Sequence, residues 1–527
     1  MHNQSAVHRW FCRGWYPSTD RSAMLILLLL ALTLKITVLL QKPILARDGI
    51  LQLQYAFELS ERPWTSVIRE SPFHPWYAYS VLVTSQIFQW FEPGILTPDQ
   101  WQWCGHLSSS FAGLLMIFPL YGLARSWLPI RVAWIGSLLF LILPSVVHTT
   151  SDVLTESWYL VFALGAMWAM VHGVKSQRSS WFVVSGLLAG SAYLVRVEAL
   201  ILPMTCLLWI VIRNWQNHVW IPTLSSFRNL LLLICCFLLP PLPYMLTIGT
   251  WSNRPAAKQL LAAKQSNDMA VGTSHLLAMQ RLQPGVNGRV NETIEFIDAL
   301  TVVVATHGRA GHYLLWPLAL LGFILIMRSR HSEPAFLVFN CFTVLHLVMI
   351  CRLAAVAGYT SERHTLMLVV LAAQVAALGL TYASSMMQRF LSISRISSRM
   401  VTVVLLMVLG LVNLPRSVQP LHRSQEGHRQ AGLWLADHME YQDHLVDPYQ
   451  WASFYAGVTF QGRNKVSEAV STLGIIDLRD ADLNRKQMWK DAGVTSQEAT
   501  TVWSWPLSSS PRLLIRKTVE TQLIQDN

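Results

Sequence analysis

The long apolar runs of this sequence constrain its fold more than any other feature. A membrane-spanning helix needs about 20 mostly apolar residues. Of the 527 residues, 53% are hydrophobic and only 13% are charged, which is typical of a polytopic membrane protein rather than a soluble domain. The candidate spans are 23–41, 104–124, 130–148, 154–173, 181–195, 197–213, 229–250, 311–327, 334–352, 365–382 and 400–415. We therefore predict an all-α polytopic membrane protein with about eleven transmembrane helices.

A further stretch, 75–92, is apolar but carries Tyr, Ser, Thr and Gln, and the basic residues decide how to place it. If it does not span, the N-terminus is cytoplasmic and every inner linker is basic, as the positive-inside rule requires. If it spans, all later basic linkers face outward and break that rule. We predict that 75–92 lies as a helix on the outer surface. The net charge of +11 then reflects orientation signals, and no nucleic-acid partner is expected.

This topology predicts the domain organisation. Residues 1–22 form a cytoplasmic N-terminus, 23–415 a transmembrane domain with outer loops 42–103 and 251–310, and 416–527 an extracytoplasmic domain. The tail is polar and contains the helix-like "HRQAGLWLADHME" and the strand-like "RLLIRK", which indicate a small α/β or α+β domain. The seven cysteines form no CxxC pair, so neither a disulfide framework nor a zinc site is predicted.

Asp48 is the first candidate for chemistry, because it follows the first span at its outer mouth, in "QKPILARDGILQLQYAFELSERPW". A carboxylate in this place can act as a general base toward an incoming hydroxyl. The alternative is an N-cap for the helix that "ILQLQYAFEL" predicts. On the same loop, His74 is restrained by Pro75 and could donate to a phosphate or bind a metal, or could simply be a turn residue among aromatics.

A second acidic cluster, "TTSDVLTESWYL", also falls at an outer helix start. Asp152 and Glu156 are four residues apart, so we expect them on one helical face. They could use a cation or a hydroxyl substrate, or they could stabilise the helix N-terminus through its dipole.

Charged residues at two further places suggest a polar cavity near the membrane. Arg196 and Glu198 interrupt an otherwise apolar sequence, where charges usually line a cavity. They could pair with each other, or Arg196 could hold an anionic headgroup. In "GYTSERHTLML", Glu362, Arg363 and His364 stand at an outer helix start, where two cations suit a lipid phosphate and where an Arg could also snorkel to the interface.

In their order and sidedness these motifs resemble the GT-C superfamily of membrane glycosyltransferases, over most of the chain. The likeness is to the branch that uses polyprenyl-phosphate sugars, which includes protein O-mannosyltransferases and the aminoarabinose transferase of lipid A. The motifs that carry it are "RDG" followed by Tyr55, the "HP" at 74–75, "YGLARSWLPIR", "LILPSVVHTTSDVLTE", "SGLLAGSAYLVRVEAL", "YTSERHTLM" and "AGLWLADHM…VDPYQWASFYAG".

The resemblance implies inverting transfer of a sugar from a polyprenyl phosphate to a lipid, glycan or protein hydroxyl, at the outer face of a bacterial plasma membrane. Asp48 would be the catalytic carboxylate. Asp152 or Glu156 would be the second acidic position, which orients the acceptor or binds a metal. The predicted substrate-binding residues are Arg47, Tyr55, His74, Arg196, Glu198, Glu362, Arg363 and His364.

The sequence departs from the family at one motif. Some relatives carry Glu-Lys before a Pro-Pro pair, whereas this chain has Phe73-His74 before a single Pro75. No cofactor is predicted with certainty, and a divalent metal is left open; His74 would replace the Lys–phosphate contact.

Two other classes of protein fit parts of the pattern. A multi-pass transporter could use Arg196 and Glu198 along a permeation path, but the sequence has no two-fold repeat and no paired broken helices. A surface-glycan ligase or polymerase also uses a lipid-linked donor, but the acidic first outer loop argues against it.

Overall fold

The structure, a computed structural model, describes residues 19–41, 44–216, 218, 223–254, 296–329, 334–357, 360–390, 397–440, 443–461, 471–480, 482–506 and 511–519. Most of the predicted cytoplasmic N-terminus (1–22) and most of the predicted outer loop 251–310 lie outside the described residues.

In the described part of the chain as far as Ser417, the regular elements are helices. They are α1 (Asp20–Leu40), α2 (Arg47–Glu61), α3 (Trp64–Glu70), α4 (Pro75–Phe91), α5 (Pro98–Leu115), α6 (Ile117–Arg125), α7 (Ile130–Leu141), α8 (Pro144–Ser151), α9 (Glu156–Ser176), α10 (Ser179–Val195), α11 (Ile201–Gln216), α12 (Leu224–Leu238), α13 (Leu242–Ile248), α14 (Phe296–Ala310), α15 (Leu315–Ser329), α16 (Pro334–Ala357), α17 (Leu366–Phe390) and α18 (Ser398–Ser417). Short 3₁₀ turns at Val197–Leu200 and Glu362–Thr365 precede α11 and α17.

The predicted polytopic membrane architecture is confirmed. Within the described ranges, seven helical segments are long and apolar enough to cross a membrane, and three bent helix pairs raise the number to ten. The bent pairs are α7 with α8 (67°), α12 with α13 (53°) and α14 with α15 (105°). Helix α10 is apolar but only 17 residues long. The predicted total of eleven is reached if α10 also crosses, and the exact count stays a prediction.

Local sequence explains where the outer helices begin. Helix α4 starts with Pro75 in its first turn, where a missing N–H costs nothing, and the same holds for Pro144 in α8. Helix α5 begins with a capping box in which Thr97 and Gln100 bond each other's backbone N–H. The predicted helices at "ILQLQYAFEL" and at 75–92 are both confirmed; that α4 lies on the membrane surface stays a prediction.

The residues after α18, 418–519, form what we call the C-terminal region. Its helices are α19 (Glu426–His438), α20 (Trp451–Tyr455), α21 (Val458–Gln461) and α22 (Leu483–Asp491), and its strands are β1 (Asp443–Val446), β2 (Ser471–Asp477), β3 (Thr500–Trp505) and β4 (Leu513–Val519). The sheet order is β1-β2-β4-β3, with β1 and β2 parallel and the other pairs antiparallel. The predicted small α/β or α+β region is therefore confirmed, with its helix and strand at the expected motifs.

Two large hydrophobic cores hold the chain together. One lies among the membrane helices and includes Leu27, Phe140 and Phe342. The other joins helices α2 and α4 to the C-terminal region, and packs Leu53 and Tyr77 in one cluster with residues such as Trp451. The C-terminal region thus shares its core with the segment that carries Asp48.

Candidate active site

Asp48 stands in the first turn of α2, next to the α2 N-terminus. The N-cap is Ala46, which has no side chain that could cap the helix, so the alternative role of Asp48 as an N-cap is wrong. Its carboxylate still gains from the positive end of the helix dipole. Because it makes no capping bond, it can point into a cavity.

The cavity around Asp48 is small, and nine of its twelve lining residues are polar or charged. It brings together side chains from the first outer loop, from the start of α9, from the turn before α11 and from the turn before α17. Its lining residues are Asp48, Gln52, Phe73, His74, Leu154, Thr155, Glu156, Val195, Arg196, Arg254, Arg363 and His364. Six of the residues predicted from sequence (Asp48, His74, Glu156, Arg196, Arg363 and His364) are thus gathered at one place.

Three carboxylates and three guanidinium groups alternate through this site in one chain of ion pairs. Arg363 Nη2 donates to Asp48 Oδ2 at 2.5 Å, and Arg363 Nε lies 3.7 Å from Glu156 Oε1. Arg196 Nη1 donates to the same Glu156 oxygen at 2.5 Å.

The chain of ion pairs continues toward the turn before α11. Arg196 Nη2 donates to Glu198 Oε1 at 2.7 Å, and Arg254 Nη1 lies 3.7 Å from Glu198 Oε2. The formal charges of the six groups cancel. An anion that enters must therefore take the place of a carboxylate beside one of the arginines.

These ion pairs set the charge state of Asp48. Burial raises the pKa of Asp48, but the adjacent Arg363 guanidinium, together with Arg254 and Arg47, outweighs this effect and holds the pKa below its ordinary value. The carboxylate is therefore ionised at neutral pH, as a general base must be.

His74 is buried behind the ion pairs, at the N-cap of α4. Burial lowers its pKa to about 4, so the ring is neutral at neutral pH. Its Nδ1 donates to Tyr193 O at 2.6 Å, because a carbonyl oxygen only accepts, and its Nε2 accepts from Ser252 Oγ at 3.1 Å. The same Ser252 oxygen accepts from Arg254 N at 3.1 Å. His74 thus fixes the backbone that carries Arg254.

An apolar cavity adjoins the polar one on the side of the membrane helices. The two share Glu156, Arg196, Arg363 and His364. Beyond these shared residues and the polar Glu198 and His346, the second cavity is lined by Tyr159, Leu160, Met349, Ile350, Leu353, Leu366 and Met367. The arrangement can receive a molecule with an apolar tail and an anionic head.

Other residues predicted from sequence lie away from this cavity. Arg47 donates from Nη2 to Pro448 O in the C-terminal region at 3.0 Å. Tyr55 is buried in the core beneath α2, and Glu362 is exposed at the start of its turn. Glu198 lines the apolar cavity rather than the polar one.

The prediction that Asp152 and Glu156 share one helical face is wrong. Helix α8 ends at Ser151, Asp152 is extended, and α9 begins at Glu156. The reason is that the Asp152 carboxylate accepts from two backbone N–H groups, of Ala46 and of Val153, which stabilises a break rather than a continuous helix. Glu156 lines the cavity, whereas Asp152 is buried behind it.

Three polar residues of the cavity were missed in the sequence: Gln52, Thr155 and Arg254. Arg254 stands in a polar stretch without periodicity, where a single Arg carries no signal. Gln52 could have been found from helical spacing, because it is four residues after Asp48 and shares its face of α2.

The described residues do not suit a metal ion. No group of three or more His, Cys, Asp or Glu side chains converges within the ranges given above. In the cavity, Arg363 lies between the carboxylates of Asp48 and Glu156, where a shared cation would have to bind. The reaction proposed below therefore uses no metal ion.

Solved structures identify the fold. ArnT from Cupriavidus metallidurans, bound to undecaprenyl phosphate, matches with a TM-score of 0.57 and 12% identity, over 95% of this chain and 99% of that chain. The Archaeoglobus fulgidus oligosaccharyltransferase, tethered with an acceptor peptide, matches with a TM-score of 0.55 and 14% identity, over 89% of this chain and 70% of that chain. The chain therefore shares the fold of these two proteins, and the predicted resemblance is confirmed at the level of the fold.

A family model also matches one part of the chain. The model of the dolichyl-phosphate-mannose-protein mannosyltransferases matches residues 95–244, from just before α5 to α13. The match includes the start of α9 and the turn before α11, which supply Glu156, Arg196 and Glu198. A search of curated protein sequences found no match.

Proposed function

We propose that this protein is an inverting glycosyltransferase that moves a sugar from a polyprenyl-phosphate carrier to a hydroxyl of a lipid, glycan or protein. The observation that carries the proposal is the ionised Asp48 carboxylate in a cavity with three arginines, beside an apolar cavity between membrane helices. Such a site offers a base for the acceptor and cations for a lipid-linked phosphate.

The donor would occupy both cavities. Its isoprene tail would lie against the apolar lining near Leu353 and Met367, and its phosphate would meet the arginines, whose planar forks suit phosphate oxygens. Arg254 is the first candidate ligand, because its carboxylate partner is 3.7 Å away, whereas Arg196 is held by two carboxylates at hydrogen-bond distance. The bound undecaprenyl phosphate of ArnT, and the dolichol-phosphate of the Archaeoglobus fulgidus AglB complex, support a donor of this class.

The proposed reaction is a single displacement. Asp48 takes the proton of the acceptor hydroxyl as its oxygen bonds to the anomeric carbon. The bond from that carbon to the phosphate oxygen breaks, and the pair of electrons stays on the phosphate. Arg254 and Arg363 take up the charge that develops there. Attack opposite to the departing phosphate inverts the anomeric configuration.

Glu156 and His74 have supporting parts in this scheme. Glu156 holds Arg196 and faces Arg363, and so keeps both guanidinium groups in the cavity. His74, neutral and bonded through both ring nitrogens, fixes the segment of Arg254 and adds no charge for the phosphate.

We place the site on the outer face of the membrane, with the N-terminus cytoplasmic. The basic residues near the inner ends of the spans support this orientation. A reporter fused after Arg328, in the last turn of α15, is expected to be cytoplasmic. An outer location for that reporter would reverse the later spans and would make α4 a transmembrane helix.

The donor is tested with purified protein in nanodiscs and synthetic polyprenyl-phosphate sugars. We expect the release of polyprenyl phosphate to depend on an acceptor hydroxyl, and NMR of the product to show the inverted anomer. Nucleotide sugars are expected to be inert, since the cavity opens among membrane helices. Transfer from a lipid-diphosphate oligosaccharide alone would favour a ligase instead, and movement of a solute without transfer would favour a transporter.

A further inference from the structure

Residues 44–47, which lead into α2 and Asp48, are held from two sides. Each of the four makes a hydrogen bond to a distant part of the chain, and three of the four partners belong to the C-terminal region. The bonds are Ile44 N to Leu421 O (3.3 Å), Trp451 Nε1 to Leu45 O (3.0 Å), Ala46 N to Asp152 Oδ1 (3.0 Å) and Arg47 Nη2 to Pro448 O (3.0 Å). The position of Asp48 therefore depends on groups far from it in sequence.

Asp152 is the buried member of this set. Its side chain is only 4% exposed, and both carboxylate oxygens are bonded. Oδ1 accepts from Ala46 N and from Val153 N at 2.7 Å, and Oδ2 accepts from His422 Nε2 at 2.8 Å. Burial raises the pKa of Asp152, but His422, together with His106 and the Ala46 N–H, outweighs this effect and lowers it, and the carboxylate in turn raises the pKa of His422. The hydrogen bond between the two side chains links the C-terminal region to the break before α9.

The break also packs directly against the first turn of α2. A Cβ atom on Gly49 would stand 2.7 Å from the Val153 carbonyl oxygen, closer than real contacts allow. On the other side of Val153, a Cβ on Gly105 would stand 2.8 Å from Val153 Cγ1. Close packing of this kind passes a displacement of residues 152–153 on to Asp48.

We propose that Asp152 is a positioning residue, which, with His422, holds Ala46 and so sets where the Asp48 carboxylate stands. The C-terminal region then places the base for catalysis. Asp152 is not among the residues that line the polar cavity. The inference rests on the proposed function, in which Asp48 is the base.

The test compares His422→Ala with His422→Gln, in nanodiscs with a synthetic polyprenyl-phosphate sugar. Alanine removes the donor to Asp152, whereas glutamine keeps an N–H donor. A misplacement of about 1 Å costs on the order of 10²-fold in rate, so we expect His422→Ala to lower kcat by about 10- to 100-fold. KM for the donor should be unchanged, because Arg254 and Arg363 remain, and His422→Gln should recover most of kcat.

His438→Ala is the matched control, because this exposed histidine of the same region has, among the described residues, one side-chain hydrogen bond, to Trp434 O within its own helix. It should keep full activity. Trp451→Phe is a second variant, which removes the bond to Leu45 O but keeps an aromatic ring, and it should also lower kcat. An unchanged kcat in both His422→Ala and Trp451→Phe, or an equal loss in His422→Ala and His422→Gln, would overturn the proposal.

Hydrogen exchange tests the positioning contact independently of the proposed function. The amide of Ala46 should exchange faster in His422→Ala than in the wild-type protein, whether or not sugar is transferred. Faster exchange with no transfer by the wild-type protein would refute the proposed function and leave the positioning contact supported. Transfer by the wild-type protein with unchanged Ala46 exchange in His422→Ala would refute the positioning contact alone.

Discussion

Replacement of Asp48 by Asn is expected to lower kcat for sugar transfer by about 10²- to 10⁴-fold, the usual contribution of a general base. Asn has the same shape and can still accept a hydrogen bond from Arg363, so the loss would come from the missing base rather than from a changed cavity. The measurement is the initial rate of polyprenyl-phosphate release with saturating acceptor. Glu61→Gln, the same chemical change at the exposed end of α2, is the control and should be silent.

The dependence of the rate on pH gives this prediction a second readout. Arg363 lowers the pKa of Asp48, so the base is active above that lowered value and is lost as the pH falls through it. The acid limb of kcat/KM should therefore lie below the ordinary range of a carboxyl group. Arg363→Gln should move that limb to higher pH, since burial is then opposed only by the weaker effects of Arg254 and Arg47. Full activity of Asp48→Asn, or an acid limb that Arg363→Gln leaves in place, would remove Asp48 as the base.

Replacement of Arg196 by Met is expected to destabilise the protein by about 3–5 kcal/mol, the cost of removing one partner from a buried ion pair. Its side chain is 6% exposed and lies between Glu156 (4%) and Glu198 (12%). Met fills a similar volume but leaves two buried carboxylates without their shared cation. The free energy of unfolding, measured by steric trapping in bilayers, tests this.

Two further variants test whether the loss of stability comes from the buried charges. Arg62 also lies between two carboxylates, Glu58 and Glu70, but is 42% exposed, so Arg62→Met should cost only about 0–1 kcal/mol. The double variant Glu156→Gln, Arg196→Met should recover most of the stability, because Glu198 keeps Arg254, Asp48 keeps Arg363, and no uncompensated charge remains. If the double variant is as unstable as Arg196→Met, packing rather than charge is the cause.

Much of the candidate site could be predicted because its charged residues are unusual for the apolar sequence around them. Arg196 and Glu198 interrupt an apolar run, and Asp48 and Glu156 stand at helix starts next to the membrane; all four lie where such anomalies suggest, in or beside one cavity. Arg254 gave no such signal, because a charged residue in a polar segment is ordinary. The prediction that Asp152 and Glu156 share one helical face failed because of a distant contact. Their spacing fits one helix, but Asp152 accepts a hydrogen bond from the backbone of Ala46, 106 residues earlier, and the helix breaks there.

The sequence by itself determined the polytopic helical architecture, the helix at 75–91 and the mixed fold of the C-terminal region, because these follow from hydrophobic periodicity, prolines and caps within short windows. Only the tertiary structure decided which charges meet. Asp48 and Arg363 are 315 positions apart, and Asp152 and His422 are 270 apart. Such pairs depend on how the helices pack. The packing decides which oppositely charged group lies next to a buried charge, so the local sequence cannot predict the partner.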